Sequence, residues 1–531
     1  MSSNFYNLAL DCIDKHAQSW INKNKLAWVG LRADATLGDP PQFHLQKLSY
    51  ANLQGLTNRM ANALRDLGVQ AGERVLLRLP NSSEFPITFL AAVKIGAIPV
   101  PTSPLLTLSE LRFLLEDSQA TVLVSAKSLF PAEFLQNKPE TLRHILLVKE
   151  DKEEALPSSI YCWQDLLKKS SSNFQTTPTL ADAPAFWLYT SGTTDKPKAV
   201  IHAHRSIRAH DERARLWQNI QAGDVVFNSS ALNWSYALTA GMLDVWRHGQ
   251  TSVAYQGELK PEILCEVLRV AKVTTLMSVP GIYRKLLPKL REDPVSFARV
   301  RVCLSAGESL SEEVAEEFRS LSGLEIYEGL GMTEHSVYLI QPWGEKKVPH
   351  SCGRALPGQR IAILREDLSE AAAGEAGILA THRSCEGLFL GYHSSSSASS
   401  PQGSGFEDKW FLSGDLAHRD AAGNFFFLGR RDDVINAGGY KISPFEIEAA
   451  LNKHPAVAES AVVELHLEKG KSLVQAFVAL KPGFLATRET SELILNFAKE
   501  SLAAYKLPRE LVFLRELPKS FNGKIQRNKL R

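Results

Sequence analysis

Short apolar runs rich in β-branched residues alternate with amphipathic segments through the first four hundred residues of the chain. Runs of this kind are typical of buried strands, and the amphipathic segments between them are typical of helices that cover a sheet. The strand-like runs include RVLLRLP, ATVLVSA, HILLVKE, VTTLMSV and VRVCLSAGE, and the clearest apolar helix is FPITFLAAVKIGA. The alternation predicts an α/β fold in which β-sheets are flanked by helices.

Several helix starts can be predicted from the chemistry of their caps. Thr107 and Ser443 are each followed by glutamate three residues later, the spacing at which the hydroxyl and the carboxylate cap each other's backbone N–H groups. Pro444 would occupy the first helical position, where a missing N–H group is harmless. After Ser311 the apolar residues recur at helical spacing, which predicts a helix following the strand VRVCLSAG.

The chain changes character near residues 429–433, where the apolar stretch FFFLG passes into the charged turn RRDD. The hundred or so residues that follow contain their own helical and strand patterns, which is enough for a small domain. We therefore predict a large N-terminal domain over 1–430 and a small α+β domain over 431–531. The polar tract HSSSSASSPQGSG, residues 393–405, predicts a mobile surface loop.

Composition and charge exclude several classes of protein. Of the 531 residues 44% are hydrophobic and 22% are charged, as in ordinary globular proteins. Sixty Lys and Arg residues against 58 Asp and Glu residues leave a net charge of +2, so nucleic acid is not an expected partner. The most apolar stretch, residues 85–101, is interrupted by Lys94 and predicts no membrane span, and the N-terminus does not resemble a signal peptide. Six cysteines without paired spacing predict reduced thiols in the cytoplasm.

The stretch AFWLYTSGTTDKPKAVIHAH, residues 185–204, carries the clearest candidate chemistry. Its strand-like start leads into a turn where glycine lets backbone N–H groups approach an anion, clustered hydroxyls donate hydrogen bonds, and lysine adds positive charge. Such a turn can hold a polyphosphate, although by itself a turn of this composition is more often only a turn. The Walker pattern G-x-x-x-x-G-K-[ST] is absent from the chain, which disfavours ordinary kinases and GTPases.

Six motifs in order along the chain carry a family resemblance. They are YTSGTTDKPK (189–198), GLGMTE (329–334), SGD (413–415), GRRDD (429–433), INAGGYKISPFEIE (435–448) and PKSFNGKIQR (518–527). They resemble the signature motifs of the adenylate-forming superfamily, which includes acyl- and aryl-CoA synthetases, peptide-synthetase adenylation domains and firefly luciferase. Within that family, the segments PVPTSPLLTLSELRFLLEDSQATVLVSA and SAGESLSEEVAEEF are similar to benzoate-CoA-ligase-like enzymes.

The resemblance implies an acid–thiol ligase that uses ATP, Mg²⁺ and coenzyme A. A small-molecule carboxylic acid, aromatic or small acyl, is first converted to an acyl-AMP with release of pyrophosphate, and a thiol then displaces AMP. The alternative acceptor is the phosphopantetheine of a carrier protein that is loaded in trans. A nucleotide-binding protein without turnover is a third interpretation, motivated by Asp195 where the family usually has glycine and by Leu330. The identity of the acid stays open, as does the choice between monomer and homodimer.

The resemblance also assigns the nucleotide ligands. The hydroxyl-rich turn would wrap the β- and γ-phosphates, the segment after VRVCLS would face adenine, and an aspartate would accept hydrogen bonds from both ribose hydroxyls. Leu330 stands where many members carry tyrosine, so adenine would meet an aliphatic floor. The implied ATP- or AMP-binding residues are Thr190, Ser191, Gly192, Thr193, Thr194, Lys198, Ala306, Gly307, Glu308, Leu330, Gly331, Asp415 and Arg430.

Three residues are implied to act on the reacting groups. Lys524 would reach the carboxylate and the α-phosphate during adenylation, and Thr333 would contact the α-phosphate. Glu334 fits the family's magnesium-linked glutamate, and Mg²⁺ prefers carboxylate, phosphate and water oxygens.

The small domain is expected to rotate between the two half-reactions. Asp432 matches the hinge position, and rotation about it would exchange the face with Lys524 for the face with Gly438 and Gly439, which would admit the pantetheine arm. Since the sequence ends seven residues after Lys524, we expect no appended carrier or condensation domain.

Four residues are candidates for contact with the acid. The segment LNWSYALT aligns with the aromatic wall of aryl-acid ligases, so Trp234 and Tyr236 could stack on an aromatic acid at about 0.5–1.5 kcal/mol beyond area burial. Aromatic residues at this spacing are, however, more often plain core. His335 and Ser336 follow the GLGMTE motif and are expected near the carboxylate end. Packing is the expected role of the two histidines after the phosphate turn, His202 and His204.

Overall fold

The structure, a computed structural model, describes residues 4–33, 42–149, 156–157, 159–190, 197–293, 297–393, 406–433, 435–437, 440–467, 471–500, 502–503, 506–519 and 525–530. Contacts divide the chain into two compact units. The first contains Met1–Lys347, Leu356–Gln359 and Arg383–Lys409, and the second contains Val348–Ala355, Arg360–His382 and Trp410–Arg531. The predicted boundary at residue 430 concerns independent domains, which these compact units do not test, and it stays a prediction.

The elements of the first unit alternate between strand and helix, as the hydrophobic pattern predicts. Its strands are β1 (Leu26–Ala33), β2 (Phe43–Ser49), β3 (Arg74–Arg78), β4 (Ile98–Pro101), β5 (Val122–Ala126), β6 (His144–Val148), β7 (Tyr161–Cys162), β8 (Pro184–Thr190), β9 (Lys198–Ala203), β10 (Val225–Asn228), β11 (Thr251–Gln256), β12 (Thr275–Ser278), β13 (Val302–Ala306), β14 (Ile326–Met332), β15 (Ser336–Ile340), β19 (Gly391–Tyr392) and β20 (Phe406–Glu407). Its α-helices are α1 (Lys15–Gln18), α2 (Tyr50–Asp66), α3 (Glu84–Lys94), α4 (Leu108–Ser118), α5 (Trp163–Lys169), α6 (Asp211–Leu216), α7 (Asp244–Arg247), α8 (Pro261–Ala271), α9 (Pro280–Glu292) and α10 (Glu312–Ser322).

The second unit holds the remaining elements. Its strands are β16 (Arg354–Ala355), β17 (Ile361–Leu364), β18 (Gly377–His382), β21 (Trp410–Arg419), β22 (Phe425–Arg430), β23 (Ile435–Ala437), β24 (Tyr440–Ile442), β25 (Val457–Leu467), β26 (Lys471–Leu480) and β27 (Glu510–Phe513). Its α-helices are α11 (Pro444–Asn452) and α12 (Arg488–Lys499).

Three sheets organise the first unit. One is parallel throughout, in the order β4-β3-β5-β6-β7. The second has the order β15-β14-β13-β12-β10-β11-β1-β2, with antiparallel strands only at β14–β15 and β1–β2. The third is the small antiparallel sheet β19-β9-β8. Helices joining parallel strands must cover the sheet faces, so the predicted α/β fold is confirmed.

The second sheet is buried on both faces, which explains why its strands read as continuous apolar runs. Alternate side chains of a strand point to opposite faces. Leu276 and Cys303 accordingly belong to the core beneath α8, α9 and α10, whereas Met277 and Leu304 belong to a separate core around Trp217.

The structure confirms the cap predicted at Thr107 and corrects the one predicted at Ser443. Thr107 and its glutamate form the predicted capping box on α4, and the Ser311 hydroxyl accepts from the Val314 N–H group at the start of α10. Pro444 is the first residue of α11 as predicted, but the Ser443 side chain forms no cap. The Ser443 hydroxyl donates instead to the Leu428 carbonyl, a tertiary partner that local spacing cannot reveal.

The second unit is built from antiparallel sheets and one compact core. Strand β17 pairs with β18, β18 with β21, and β21 with β22, all antiparallel. Further along, β25 and β26 form an antiparallel pair to which β27 adds in parallel. Buried apolar side chains of β25 and β26 pack with those of α11 and α12. The hundred residues after position 430 therefore have the α+β character that their pattern predicts.

All six cysteines lie in the described residues, and none of them forms a disulfide bond there. In the part of the chain that the structure describes, no helix combines the length and the apolar character that crossing a bilayer requires.

Candidate active site

Two neighbouring parallel strands bring the residues expected near adenine together. Ala306, the last residue of β13, pairs in parallel with Gly329 of β14. Leu330 and Gly331 follow on β14, so they lie beside Ala306 and Gly307 at the carboxyl edge of the sheet, where α/β proteins commonly bind ligands. Gly307 has a φ of +96°, a conformation that glycine adopts without strain. The predicted adenine-facing residues therefore form one continuous edge.

Glu328 is a neighbour of this edge that the sequence analysis did not single out. One of its carboxylate oxygens accepts a hydrogen bond of 2.9 Å from the Leu310 N–H group. Burial raises the pKa of Glu328 to about 7, and the Leu310 N–H group and the charge of Lys347 only partly oppose that rise. A carboxyl group that titrates near neutral pH thus lies next to the adenine candidates.

The turn between β14 and β15 presents the candidate catalytic residues. Met332 pairs with Ser336, so Thr333, Glu334 and His335 form the tip of a tight hairpin. A Cβ atom on Gly331 would lie 2.2 Å from the Ser336 carbonyl oxygen, closer than any non-bonded contact. The second glycine of the GLGMTE motif, Gly331, is therefore required for the hairpin to close, whatever it contacts in a ligand.

Glu334 is held from a distant part of the chain. The Tyr392 hydroxyl donates a hydrogen bond of 2.6 Å to a Glu334 carboxylate oxygen, and the Phe389 N–H group donates one of 2.8 Å to the Glu334 carbonyl. Among the described residues, no group of three His, Cys, Asp or Glu side chains could hold a metal ion by itself. A single carboxylate fits Mg²⁺, because that ion is commonly bound by one or two carboxylates together with substrate phosphates.

The strands on either side of the phosphate-turn motif, YTSGTTDKPK (189–198), form a hairpin. Thr190, at the end of β8, pairs with Lys198, at the start of β9. The Lys198 ammonium nitrogen lies 5.6 Å from the centre of the Tyr392 ring. Among the motif residues between the strands, Ser191, Gly192, Thr193, Thr194 and Asp195 lie outside the described residues. Their expected phosphate contacts stay predictions.

The acid candidate Tyr236 lies under the same sheet edge. It begins a π-helical segment, Tyr236–Leu243, and its hydroxyl donates a hydrogen bond of 3.4 Å to the Leu304 carbonyl of β13. Its ring centre is 6.1 Å from that of Trp217, and burial raises its pKa. Trp234, two residues earlier, is also half-buried. Tyr236 therefore combines core packing with a position next to the adenine edge.

His335 and Ser336 are both buried. The His335 ring stacks on Tyr338 at 4.8 Å, and its Nε2 atom lies 2.9 Å from the Gln359 side-chain oxygen. Burial lowers the pKa of His335 to about 3, so its imidazole is neutral at physiological pH. Ser336 has a φ of +56°, and its hydroxyl accepts a hydrogen bond of 2.6 Å from Arg213. Both side chains are engaged inside the protein, and contact with an acid stays a prediction for them.

A buried polar cluster behind the hairpin was missed by sequence reasoning. Arg213 and Asp244 form an ion pair in which both side chains are at most 1% exposed. Arg213 also reaches Ser336, and Asp244 bonds to His210 at 2.9 Å. Burial would raise the pKa of Asp244, but the charges of Arg213 and His210 hold it below its usual value. No motif marks these residues, because their partners lie on three different elements.

His202 and His204 are packing residues, as expected. His202 stacks on Phe186 with ring centres 4.6 Å apart, and the Nδ1 atom of His204 accepts from the Leu8 N–H group at 3.3 Å. Burial lowers the pKa of His202 to about 3 and that of His204 to about 4. Both imidazoles are therefore neutral and buried.

In the second unit, Asp415 and Arg430 are opposite one another on β21 and β22. The Arg430 guanidinium donates hydrogen bonds of 2.9 Å to the Asp415 carboxylate and 3.1 Å to the Ser413 carbonyl. The arginine side chain is 40% exposed and the aspartate side chain 13% exposed. The two residues predicted to contact ribose and phosphate thus form one preorganised pair, of which the arginine is the accessible member.

The C-terminal candidates are only partly described. Lys524, Gly438 and Gly439 lie outside the described residues, and Asp432 is known only as part of the 3₁₀ turn Arg431–Asp433. Arg527, three positions after Lys524 in the sequence, forms two hydrogen bonds of 2.7 and 2.8 Å to Glu448. The hinge, pantetheine and lysine assignments stay predictions.

Tyr392, which contacts both Glu334 and Lys198, could not be identified from the sequence. It directly precedes the serine-rich tract, whose composition indicates a loop. His393, the first residue of that tract, is nevertheless held: its ring lies 4.7 Å from Trp187, and its Nε2 atom is 3.0 Å from the Asp117 carbonyl. Residues 394–405 lie outside the described residues, so the predicted loop is not tested there. The only local signal for Tyr392 was a Gly-Tyr pair at the end of an apolar run.

Two family matches span most of the chain. The AMP-binding enzyme family matches residues 27–393, and the C-terminal domain of AMP-binding enzymes matches residues 446–524. The Glu334 hairpin and the β8–β9 hairpin both lie in the first match, whereas Glu448 and Lys524 lie in the second.

Relatives are similar over nearly their full lengths. A benzoate–CoA ligase of Thauera aromatica is 35% identical over 91% of this chain and 90% of that protein. The mitochondrial acyl-coenzyme A synthetase ACSM3 of Mus musculus is 30% identical over 99% of this chain and 90% of that one. An anthranilate CoA ligase solved in complex with anthranoyl-AMP is 26% identical, with a TM-score of 0.86 over 99% of this chain and 97% of that one.

Proposed function

Because the chain belongs to the AMP-binding enzyme family, we propose that it is an AMP-forming acid–thiol ligase that makes an aryl- or small acyl-CoA thioester. In the first half-reaction a carboxylate oxygen bonds to the α-phosphorus of ATP, and pyrophosphate leaves. In the second, the sulfur of coenzyme A bonds to the acyl carbon, and AMP leaves. A carboxylate is a poor electrophile, so the mixed anhydride supplies the leaving group that the thiol needs.

One observation carries this proposal: an ammonium and a carboxylate from distant motifs meet around one tyrosine. Lys198 borders the phosphate-turn motif, Glu334 ends the GLGMTE motif, and both contact Tyr392. The reaction brings an anionic acid to an anionic triphosphate, so catalysis must come chiefly from positioning and from stabilising charge on phosphate oxygens. A fixed cation beside a carboxylate suited to Mg²⁺ meets that need.

The roles of the chain's own residues follow from this arrangement. Lys198 binds phosphate oxygens, Thr333 donates to the α-phosphate, and Glu334 would hold Mg²⁺, which when bound neutralises phosphate charge. Asp415 and Arg430 orient the ribose. Lys524 brings its charge to the carboxylate and the α-phosphate during the first half-reaction. The small domain then turns about Asp432, so that Gly438 and Gly439 line the path of pantetheine.

For the acid, we propose an aromatic or small acyl carboxylate that lies against Tyr236 and Trp234. Support comes from the half-buried Tyr236, whose hydroxyl bonds to β13, and from relatives named for benzoate and anthranilate. ACSM3 is named only for acyl groups, which keeps small acyl acids in the proposal. One methylene more or less in the acid changes an enzyme's substrate preference by only about 1–3 kcal/mol. The acid must therefore be identified by testing a panel.

The test is ATP–pyrophosphate exchange with a panel of aromatic and short aliphatic acids, followed by detection of the CoA thioester. We expect exchange with at least one aromatic acid and thioester formation once coenzyme A is added. Folded protein that exchanges with no acid would refute the proposal. Exchange without CoA turnover, restored by a holo carrier protein, would identify the carrier as the acceptor.

Substituting Lys524→Ala separates the two half-reactions. We expect exchange to fall by orders of magnitude, because the charge at the α-phosphate is lost, while thioester formation from supplied acyl-AMP is largely retained. If both half-reactions fell equally in folded protein, the proposed division of roles would be wrong.

A further inference from the structure

Tyr392 lies on a short strand that joins two parts of the candidate active site. In the pairing of β19 with β9, Tyr392 is opposite Val200, which places Lys198 at the diagonal position two residues along. Diagonal neighbours across an antiparallel pair are within reach of long side chains. Main-chain hydrogen bonds hold this strand to β9 at both of its ends, since the Leu390 and His393 N–H groups donate to carbonyls of β9 at 2.8 and 2.9 Å. The position of Tyr392 is therefore set by the main chain.

The same segment also grips the hairpin that carries Glu334. The Phe389 N–H group donates to the Glu334 carbonyl at 2.8 Å, and the Phe389 ring lies 4.9 Å from that of Tyr392. Main-chain and side-chain contacts thus fix Glu334 together: one through the Phe389 amide, the other through the Tyr392 hydroxyl.

The two contacts of the Tyr392 side chain use different parts of the phenol. Its hydroxyl has one hydrogen to donate, and at 2.6 Å from the carboxylate this is a charge-assisted hydrogen bond. Its ring face carries a negative quadrupole that attracts the Lys198 ammonium 5.6 Å away. An ammonium and a carboxylate near one another would otherwise tend to pair directly. The tyrosine gives each a partner of its own.

We propose that Tyr392 is a positioning residue that fixes the Glu334 carboxylate and the Lys198 ammonium relative to each other, so that Mg²⁺ and the phosphate-binding cation meet the triphosphate together. The proposal rests on the proposed function for the identity of the ligand. It assigns Tyr392 no contact with the reacting atoms.

Two substitutions test the hydroxyl contact and the ring contact of Tyr392 separately. Tyr392→Phe removes the hydroxyl and keeps the ring, whereas Tyr392→Leu removes both. Loss of a residue that orients a metal ligand commonly costs about 10–100-fold in metal affinity. We therefore expect Tyr392→Phe to require at least about tenfold more Mg²⁺ for the same enhancement of nucleotide binding. We expect Tyr392→Leu also to weaken binding without Mg²⁺ about threefold, because the cation–π contact is lost.

Tyr6 supplies a matched control on the same unit. Its hydroxyl donates to Asp11 at 2.7 Å, and the Arg208 guanidinium lies 4.8 Å from the centre of its ring. Tyr6→Phe and Tyr6→Leu remove the same two kinds of contact outside the proposed site. They should leave nucleotide binding and its Mg²⁺ dependence as in the wild type.

The measurement is calorimetric binding of α,β-methylene-ATP, which is not cleaved at the reacting bond, at a series of Mg²⁺ concentrations, with thermal unfolding as the check on folding. Unchanged Mg²⁺ dependence in folded Tyr392→Phe would overturn the proposal, and so would a loss of affinity that is the same with and without Mg²⁺. If Tyr392→Leu does not fold, the isosteric Phe variant decides alone. If the wild type exchanges pyrophosphate while Tyr392→Phe keeps the wild-type Mg²⁺ dependence, the proposed function stands and only the role of Tyr392 is refuted. A wild type that does not bind the analogue overturns both.

Discussion

Two arginine–aspartate pairs, one in each compact unit, have similar chemistry and opposite surroundings. Arg213 and Asp244 are at most 1% exposed, and their polar atoms bond to one another, to His210 and to Ser336. Arg430 and Asp415 form a comparable hydrogen bond, but the arginine is 40% exposed.

The difference distinguishes a pair enclosed in the interior from the pair that we propose contacts the nucleotide. Two charges withdrawn from water must satisfy each other completely, because either one alone would be strongly destabilising in the interior. A pair at an accessible surface contributes little to stability, roughly 0–1 kcal/mol, so it can exchange partners with a ligand at small cost. Burial, not residue identity, therefore indicates which pair can take part in binding.

The largest expected effect is on the buried pair. Arg213→Met leaves Asp244 as an uncompensated buried charge and should lower the free energy of unfolding by about 3–5 kcal/mol. Urea denaturation measures this change. The double variant Arg213→Met/Asp244→Leu should recover much of it, because no charge is then left unpaired. A loss below about 1 kcal/mol in the single variant would contradict the structural role.

Acid should destabilise the first unit through its buried histidines. The pKa values of His202 and His335 are lowered by burial to about 3, against about 6.5 for an exposed histidine. The unfolded chain therefore binds more protons than the folded one below pH 6.5, and stability falls as the pH drops towards 3. At pH 5 each histidine should cost about 2 kcal/mol.

His335→Gln tests this quantity directly. Unfolding free energies measured in urea at pH 5 and pH 7.5 should differ by about 2 kcal/mol less in the variant than in the wild type. An equal difference in both proteins would mean that His335 is not kept neutral by folding.

Removing the carboxylate of the second pair should affect binding more than stability. Hydrogen bonds to a charged group contribute about 1.5–3 kcal/mol, so Asp415→Ala should weaken binding of an ATP analogue by roughly 10–100-fold. Calorimetric titration gives the affinity, and Asp420→Ala serves as a control of equal charge, because the half-buried Asp420 carboxylate accepts local hydrogen bonds from Asn424. Unaltered affinity in Asp415→Ala would contradict the assignment to ribose.

The smallest effect is expected for the stability of the exposed pair. Arg430→Gln should change the free energy of unfolding by less than about 1 kcal/mol, because water screens the charge of the 40% exposed guanidinium. A loss as large as that of Arg213→Met would remove the distinction between the two pairs.

The sequence predicted the elements better than their contacts. The alternating apolar runs identified β3, β5, β6, β12 and β13, and the cap at Thr107 was confirmed, because these features depend on neighbouring residues. The cap at Ser443 was wrong, since a distant carbonyl competes for the hydroxyl.

The candidate site shows the same division. Asp415 and Arg430 could be found because each lies in a motif, and their pairing follows from adjacent strands. Tyr392 and Arg213 could not, because their importance arises from partners that only the folded chain brings near: Lys198 and Glu334 for one, Asp244 and Ser336 for the other. Burial and tertiary hydrogen bonds leave no local pattern to detect.

The short strand at Gly391–Tyr392 also bears on how the site is made during synthesis. Tyr392 is 58 positions beyond Glu334 and pairs with a strand that begins at Lys198. A nascent chain that has released both motifs from the ribosome still lacks the tyrosine that joins them. Premature termination or a proteolytic cut just before residue 389 would therefore yield a protein with every upstream motif intact and the two charged groups uncoupled.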